Sequence, residues 1–504
     1  MWVVSAPGSA EPSYEELAAL VVGLAARVET LEAENAELRR RLGVNSTNSS
    51  VPPSQDSIET KAKRRADRSS RQRSRDRKPG GQPGRQGSGL VPTATPDRTE
   101  TLPPPGQCSG CGGDLTGAAD AGMGWAQVWD ILPIVLEKVH YLLPRRRCGC
   151  GKITTTVPPF GAAGTVVYGP NLNAAAILLA SEGNVPVERT AMLIHALAGV
   201  AVSSGFVARA VERFAQRLAA AGFDAAMRTA LRAEDVLCVD ETPTNVVHTD
   251  TDAQGEPQPG SAHAVTVRTP DARLVWYAPI GSRSKTALVD LGVLQGYAGY
   301  LVRDDYAGYH QFDAQLAGVQ QCAAHLIRHC KGVLQLHPTQ QKWAGEIIAV
   351  LGEAAAAVTE AILDGRNHLA PELLADLRAR YDHAVAWGIT TNRHRDWAKG
   401  NHPGYTLATR LRDKAEQVWT FTRNLAVPWT NNASEQALKG PKRHQAVSGY
   451  WHTLTTLAHY CRIRSYLVSA RNHSIRPIDA IHAALTGNPW LPTTSTAWTP
   501  QPNP

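Results

Sequence analysis

The chain has 504 residues, which is too long for one ordinary hydrophobic core and predicts two to four modules. Its 43% hydrophobic content is ordinary, and no uninterrupted apolar run of about 18 residues appears, which argues against a membrane span. The opening segment MWVVSAPGSAEP lacks a basic leader, so we expect a cytoplasmic location. The eight cysteines should then be reduced thiols or metal ligands.

The first predicted element is a helix over residues 14–43 that carries a heptad repeat. Leucine occupies one position of the repeat, and valine, leucine and one asparagine occupy the complementary position: Leu17, Leu24, Leu31, Leu38, Val21, Val28, Asn35 and Leu42. Such a stripe is typical of a coiled coil, in which a buried asparagine fixes the register and favours parallel pairing. We predict a coiled-coil dimerisation helix; an amphipathic helix that packs on its own chain is the alternative.

Residues 44–100 are predicted to form a basic, disordered linker, because turn-forming text (NSTNSSVPP, KPGGQPGRQGSG) interrupts any helix. From Lys61 to Gly87, eleven lysines and arginines stand against two aspartates, a local charge of +9 in a chain whose net charge is +7. A segment with so many positive charges is more typical of an arm that binds polyanions than of a plain spacer. The predicted DNA contacts in it are Arg64, Arg65, Arg73 and Arg75.

Four cysteines form two close pairs on glycine-rich turns, CSGCGG and CGCGK. They are Cys108, Cys111, Cys148 and Cys150. Turns of this kind let two thiolates point at one ion, and four sulfurs suit a tetrahedral structural Zn²⁺. The segment between them, WAQVWDILPIVLEKVHYLLPRRR, alternates and predicts strands. We predict a zinc-ribbon module over residues 101–160; a redox pair or two unrelated thiol turns is the alternative.

Residues 165–225 are predicted to be helical. PNLNAAAILLASEG, VERTAMLIHALAG and SSGFVARAVERFAQRLAAA have helical spacing, and GVAVSS supplies a short turn and a serine cap. This is the pattern of a helix-turn-helix, with Arg209 and Arg213 on the last helix. A DNA-reading helix-turn-helix and a plain helical connector are both compatible with it.

From residue 232 the pattern changes to strands. VLCVDET is a short buried run, HAVTVRT and RLVWYAPI follow as a meander, a helix lies around SKTALVDLG, and GYLVRDDYAGY is a further strand. This order predicts a mixed α/β core over residues 232–337. A helical insertion is predicted over 338–424, the core resumes over 425–485, and residues 486–504 are expected to be a disordered tail.

Three acids are each predicted to lie at the end of an element, where side chains from separate elements converge. They are Asp240, Asp304 and Glu435. Phosphoryl transfer between nucleic-acid strands uses two divalent metals, which carboxylates hold. A turn at Asp240, an ion pair between Arg303 and a following aspartate, or a capping box closed by Glu435 would explain each acid singly. Their joint layout is that of a ribonuclease-H-like nuclease core.

These segments together resemble the DDE transposases of the insertion sequence 66 type, over about residues 17–484. ENAELRRRL, NSTNSSVPPSQD and KPGGQPGRQG look like the zipper and linker of that family, and CSGCGGDL with CGCGK looks like its zinc-binding module. VDET, DDYAGY, CAAHLIRHC and NNASEQALKGPKRHQAVSGY look like its catalytic segments. The resemblance implies a multidomain α/β protein: a coiled coil, a zinc ribbon, a helical region and a ribonuclease-H-like core with a helical insertion.

The resemblance also implies roles for single residues. Asp240, Asp304 and Glu435 would be the catalytic acids that hold two Mg²⁺ or Mn²⁺ ions, so that water cleaves a strand and the freed 3′ hydroxyl attacks target DNA. The cations that follow Glu435 would contact phosphates: Lys439, Lys442 and Arg443. Three positions depart from the family pattern: Asp305, Thr430 and Gln436. The first leaves open which of Asp304 and Asp305 binds metal.

The expected partners are double-stranded DNA, as element ends and target, and further copies of this chain in a homodimer or higher oligomer. The resemblance implies small accessory proteins and a bacterial, nucleoid-associated location. His325 in CAAHLIRHC would orient DNA or a carboxylate, or is a packed helix histidine. Two alternatives to the transposase stay open: a non-catalytic DNA-binding regulator and a degenerate, inactive transposase copy.

Overall fold

The computed structural model describes residues 13–49, 51, 55–61, 92–131, 134–159, 166–248, 250–251, 257–258 and 262–494. The chain divides into two compact units: Lys61–Glu137, and Met1–Thr60 together with Lys138–Pro504. The predicted DNA contacts of the basic arm lie outside the described residues: Arg64, Arg65, Arg73 and Arg75. No helix in the described part of the chain combines the length and the apolarity that crossing a membrane requires.

The larger unit contains the helices and strands that follow. Its helices, in chain order, are α1 (Tyr14–Gly43), α2 (Pro170–Ile177), α3 (Val187–Ala198), α4 (Ser204–Ala220), α5 (Phe223–Arg232), α6 (Lys285–Asp290), α7 (Ala323–Leu336), α8 (Lys342–Leu363), α9 (Pro371–Asn392), α10 (Pro403–Asp413), α11 (Ala415–Val418), α12 (Thr420–Arg423), α13 (Asn432–Ala437), α14 (Lys439–Ser448), α15 (Leu454–Asn472) and α16 (Pro477–Leu485). A π-helical turn (Leu178–Glu182) continues α2, and a 3₁₀ helix spans Ala307–Gln315.

The strands are β1 (Arg145–Arg147), β2 (Ile153–Thr155), β3 (Val236–Thr244), β4 (Val246–His248), β5 (Asp250–Thr251), β6 (Pro257–Gln258), β7 (Ala262–Arg268), β8 (Val275–Ile280), β9 (Tyr300–Arg303), β10 (Gly318–Gln321) and β11 (Trp451–Thr453). Five of them form one mixed sheet in the order β10, β9, β3, β7, β8. The strands β10, β9 and β3 run parallel, and β3, β7 and β8 form an antiparallel meander. The protein is therefore a mixed α/β protein, as the sequence predicts.

The central strand β7 shows why this sheet is buried on both faces. All seven of its residues are buried, and alternate side chains point to opposite faces of a strand. Val265 and Val267 belong to a cluster that includes Phe214 and Phe223 from α4 and α5. Ala264, on the other face, packs in a cluster with residues of β11 and α15. Helices thus cover both sides of the meander.

Helix α15 also covers the free edge of the sheet at β8. The Ser469 hydroxyl accepts a hydrogen bond from the Val275 N–H at 3.0 Å, and the Ser465 hydroxyl accepts one from the Tyr277 N–H at 2.7 Å. Both serines are fully buried. An edge strand leaves such N–H groups unpaired, so these two hydroxyls replace the missing neighbouring strand.

A separate apolar core lies between β10 and α13, where the sequence predicts a helical insertion. Helices α8, α9 and α10 build it around Trp343, Tyr381 and Trp419, all of which are buried. Gly388 lies so close to the Trp343 ring that a Cβ there would approach it to 2.6 Å. This region therefore has its own packed interior, connected to the sheet by polar contacts described below.

Helix α1 spans the predicted heptad repeat. Its stripe leucines are exposed in the single chain, Leu24 by 56% and Leu38 by 58%. The predicted helix is thus confirmed, while its pairing with a second copy stays a prediction. The segment after α1 contacts α7, where the Asn48 amide donates to Gln335 at 2.7 Å.

The cysteine-containing segment differs from its prediction. Within its described residues, 125–131 and 134–147, the alternating run between the two cysteine pairs forms a strand only at its last three residues, which pair as β1 with β2. The apolar side chains that the structure describes in this run are exposed, as Trp125 and Leu142 show. The expectation of strands along this run is therefore wrong, because alternation alone gives a strand no partner to pair with.

Candidate active site

Two of the predicted acids lie near each other at the centre of the sheet. The parallel pairing of β3 with β9 ends at Cys238 and Val302, and Asp240 and Asp304 each follow this last pair by two residues. The strand β3 does not end at Asp240, as the sequence suggested, but continues to Thr244 along its antiparallel partner β7. The two aspartates therefore lie just beyond the point where the two parallel strands stop pairing.

The surroundings of Asp240 are strongly negative. Burial raises the pKa of Asp240 well above its ordinary value. The charges of three neighbouring acids raise it further: Glu241, Asp304 and Glu435. Its Oδ1 accepts the N–H of Glu241 at 2.9 Å, and Asp304 Oδ1 accepts the N–H of Tyr306 at 3.0 Å. Neither aspartate forms an ion pair with any residue that the structure describes, so no cationic side chain among those residues neutralises them.

Glu435, the third predicted acid, lies on α13 and pairs with α7. Its Oε1 accepts a hydrogen bond from Arg328 at 2.5 Å and lies 3.8 Å from Nε2 of His325. Within the described residues, no three His, Cys, Asp or Glu side chains form a group that could hold a metal ion. The structure thus brings Glu435 near Asp240, but Arg328 neutralises it.

The capping-box explanation for Glu435 is wrong. Helix α13 begins at Asn432, its N-cap residue is Asn431, and no side chain caps it. The Asn431 amide instead donates to the Val239 carbonyl at 2.7 Å, and the Asn431 N–H donates to Cys322 Sγ at 3.1 Å. Asn431 is only 2% exposed. It therefore joins the helix of the third acid to the strand of the first.

Glu241, which follows the first acid in VDET, was not singled out by sequence reasoning. Its carboxylate accepts hydrogen bonds from Tyr309 and Arg283, and the Arg283 guanidinium lies 3.7 Å from the centre of the Tyr306 ring. Burial and the charge of Asp304 raise the pKa of Glu241. This paired acid fixes the strand next to Asp240 against the 3₁₀ helix.

Both neighbours of Asp304 in the sequence form ion pairs, but not with each other: Arg303 pairs with Asp313, and Asp305 pairs with Lys414. Arg303 is fully buried and donates to both carboxylate oxygens of Asp313, at 2.8 and 2.9 Å. Asp305 bonds Lys414 of the helical region and lies 3.1 Å from His310. The alternative explanation, an ion pair of Arg303 with Asp304 or Asp305, is therefore wrong.

The basic residues after Glu435 lie on α14. Lys439 and Arg443 are exposed and Lys442 is half-buried. Among the described residues, none of the three has a hydrogen-bonding or ion-pairing side-chain partner. His444, by contrast, packs between Trp451 and Tyr460, with ring centroids 5.0 and 4.7 Å away. One side of α14 is thus anchored by His444, while Lys439 and Arg443 are exposed to solvent.

Helices α2, α3 and α4 lie where the sequence predicts three helices. The Ser203 hydroxyl caps α4 by accepting the N–H of Phe206 at 3.1 Å. Arg209 and Arg213 are exposed on α4, and Arg213 donates to Asn173 at 3.3 Å. The helices and the cap are confirmed, and DNA reading by them stays a prediction.

Each cysteine pair lies on one tight turn. In the smaller unit, backbone N–H groups of Cys111 and Gly110 lower the pKa of Cys108. In the larger unit, the N–H of Cys150 does the same for Cys148. A lower pKa favours the thiolate, which is the form that binds metals. The other four cysteines are buried thiols: Cys238, Cys322, Cys330 and Cys461.

A family model described as Transposase IS66 family matches residues 165–458, more than half of the chain. The chain belongs to this transposase family. The match runs from α2 to the start of α15 and so includes all three acids and the helical region before Glu435. A second model, described only as a family of unknown function, matches residues 5–90.

Among solved structures, the chain is similar to the Drosophila P element transposase strand transfer complex. The identity is 13%, and the match covers 64% of this chain and 81% of that chain with a TM-score of 0.22. No curated protein matches the chain. Membership of the transposase family therefore rests on the family model.

Proposed function

We propose that this protein is a DNA transposase that cleaves and joins strands at the ends of an insertion sequence. The observation that carries this proposal is the parallel pairing of β3 with β9 up to Cys238 and Val302, because Asp240 and Asp304 each follow this last pair by two residues. Glu435 lies near enough for its charge to act on Asp240. A transposase needs such a group of acids, and this chain belongs to a transposase family.

The proposed catalytic core is ribonuclease-H-like. Its support is the sheet order, in which a three-stranded antiparallel meander is extended on one side by two parallel strands. The helical region then interrupts the core between β10 and α13, and the third acid follows it. We propose residues 232–337 and 425–485 as the two parts of the core and residues 338–424 as its insertion.

The acids fit divalent metal ions by their chemistry. Asp240 and Asp304 are hard oxygen donors without a cationic partner among the described residues, and their mutual repulsion would be relieved by bound positive charge. Asp240, Asp304 and Glu435 would hold two Mg²⁺ or Mn²⁺ ions, which would supply activation of the attacking oxygen and stabilisation of the leaving one. Glu435 would have to exchange Arg328 for this role.

Other side chains of this chain would position Glu435 and contact the DNA phosphates. Asn431 holds the helix of Glu435 on the strand of Asp240, so that the third acid stays near the other two. The cations of α14 would neutralise phosphates: Lys439, Lys442 and Arg443. These contacts would add affinity that falls as salt rises, without reading sequence.

The remaining modules are proposed from the sequence. A coiled coil through α1 would join two copies so that two DNA ends meet in one complex. The basic arm and the helix-turn-helix would bind those ends, and accessory proteins would assist. The two cysteine turns would bind a structural Zn²⁺, which the lowered pKa values of Cys108 and Cys148 favour.

Two substitutions test the proposal. Asp240→Asn and Asp304→Asn should each lower magnesium- or manganese-dependent nicking of DNA that carries the element ends by about a thousandfold or more. Asp290→Asn removes an exposed aspartate of α6 and should leave nicking unchanged. DNA binding, measured by gel mobility shift, should be the same for all three variants.

Other outcomes would contradict the proposal. Nicking that persists in Asp240→Asn would mean that these acids are not catalytic. A wild-type protein that binds DNA but nicks none with either ion would be a DNA-binding regulator or a degenerate copy. Excision of a marked element in cells separates those two, because a regulator would still change excision by an active transposase.

A further inference from the structure

Asp305 directly follows the second acid, and its carboxylate is held by four side chains. Oδ1 accepts a hydrogen bond from Lys414 and lies 3.1 Å from His310 Nε2 and 3.3 Å from Gln321 Nε2. Oδ2 lies 3.8 Å from Arg410. The side chain is 20% exposed. This is a crowded, partly buried polar centre, not a free surface carboxylate.

These partners come from two different parts of the fold. His310 and Gln321 belong to the sheet side, on the 3₁₀ helix and β10. Lys414 and Arg410 belong to the helical region, at the end of α10 and just beyond it. Asp305 therefore connects the end of β9 to the junction of α10 and α11.

A second set of bonds makes the same connection from the other side of Asp304. Arg303 pairs with Asp313, and Gln417 of α11 donates to Asp313 at 3.2 Å. Gln417 Oε1 also accepts from Gln321 at 2.8 Å. Arg303 itself donates to the backbone carbonyl of Asp304 at 2.8 Å. Both neighbours of Asp304 in the sequence are thus fixed to one short stretch of the helical region.

Asp305 has cationic side chains around its carboxylate, and Asp304, within the described part of the chain, does not. Asp305 accepts a charge-assisted hydrogen bond from Lys414 and lies 3.8 Å from Arg410, so two cations face its carboxylate. Asp304, one residue away, forms no ion pair with a described residue. A carboxylate that two cations already neutralise gains little from a metal ion, whereas an unpaired one gains much.

We infer that Asp305 is a positioning residue that locks the helical region to the end of β9, and that Asp304 alone of the two is available to a metal ion. The inference rests on the proposed function for the role of Asp304. The lock fixes the backbone of Asp304 near Asp240, and it makes the helical region part of the scaffold of the active site. Lys414 is the partner of Asp305 in this lock.

A double-mutant cycle measures the lock without DNA. Asp305→Asn and Lys414→Met should each speed amide hydrogen exchange over α10 and α11 by about tenfold or more, as expected for loss of a charge-assisted hydrogen bond. The double variant should be no faster than the single ones, because residues in contact are not additive. Asp304→Asn is the matched control, and exchange over α10 and α11 should stay at the wild-type rate.

Binding of Mn²⁺ alone, measured by calorimetry, separates the two aspartates. Asp304→Asn should lose Mn²⁺ affinity, while Asp305→Asn should retain it to within a few-fold. Additive effects in the exchange cycle, or equal loss of Mn²⁺ affinity in both aspartate variants, would overturn the inference. If the wild type binds no Mn²⁺ or nicks no DNA, the proposed function fails, and the exchange cycle still decides whether the lock exists.

Discussion

The sheet core and the cysteine-containing segment (residues 92–159) place their apolar side chains in opposite ways. In the core, Leu237 on β3 is fully buried, with helices on both faces of the sheet. In the segment, Trp125 is 75% exposed and Leu142 is 83% exposed. Burial of apolar area is the main favourable term in folding, so the core carries its own stabilisation. The described apolar residues of the cysteine-containing segment supply little of this term, so the proposed zinc would be a main source of its stability.

The largest expected effect is that of zinc on the cysteine-containing segment. If the four cysteines bind a structural zinc, Cys111→Ser or Cys148→Ser should abolish zinc binding, because structural zinc contributes about 10 kcal/mol or more to folding. Amide exchange should then be fast over residues 102–159 and unchanged in the sheet. Zinc content by native mass spectrometry and exchange by mass spectrometry check this. If amide exchange became equally fast in β3 and β7, the stability of the sheet would depend on the cysteines too, and the two regions would not differ in this way.

Truncation of one leucine in each region sharpens the comparison. Leu237→Ala should lower the free energy of unfolding of the core by about 2–5 kcal/mol, because it leaves a cavity. Leu142→Ala, the matched change at an exposed leucine, should cost less than about 0.5 kcal/mol in the absence of zinc. Urea unfolding monitors both. A large cost at Leu142 would mean that this side chain is buried in solution.

Asn431 tests how firmly the core holds its third acid. Asn431→Ala should lower the free energy of unfolding by about 1–3 kcal/mol, because it leaves the buried Val239 carbonyl without its donor. It should also lower nicking, since the helix of Glu435 loses its anchor. The exposed neighbour Asn432 is the control, and Asn432→Ala should change neither thermal unfolding nor nicking. Equal effects at both positions would remove the special role of Asn431.

The smallest effect expected is a dependence on pH at one core histidine. Burial lowers the pKa of His444 from about 6.5 to about 4, so the fold requires the neutral ring. Its contribution is complete above pH 6.5 and is lost as pH falls towards 4, by about 2 kcal/mol at pH 5.

His444→Phe keeps an aromatic ring between Trp451 and Tyr460 and should flatten the fall in stability between pH 7 and pH 5. His140→Phe, at an exposed position of the cysteine-containing segment, should leave the pH dependence as it is. Unfolding by urea at pH 7, 6 and 5 measures both slopes. Parallel slopes for His444→Phe and wild type would show that this histidine is not held neutral.

The sheet could be predicted from the sequence because its signals are local. VLCVDET, HAVTVRT and RLVWYAPI are short runs rich in β-branched and aromatic residues, and β3, β7 and β8 lie on them. The three helices before them also follow their sequence pattern. The alternating run between the cysteine pairs has an equally clear pattern yet forms little strand. A strand needs a partner, and alternation does not show whether one exists.

The candidate site could be predicted only in part. Asp304 and Glu435 come close enough to Asp240 for their charges to raise its pKa, and the order of the three acids along the chain suggested this. Three partners were not foreseen: Arg328, Lys414 and Asn431. They lie 107, 109 and 192 residues from the groups that they bind, and no local pattern links them. The sequence also could not show which of Asp304 and Asp305 is free to bind metal, because this depends on which of them contacts Lys414 and Arg410 of the helical region.

The position of α13 after the whole helical region has a consequence for synthesis. A ribosome makes all five strands of the sheet, and both aspartates, before it makes Glu435. Helix α15, which covers the β8 edge and one face of the meander, is made later still. Any truncated product that stops before α13 therefore lacks both the third carboxylate and the helix that covers the sheet.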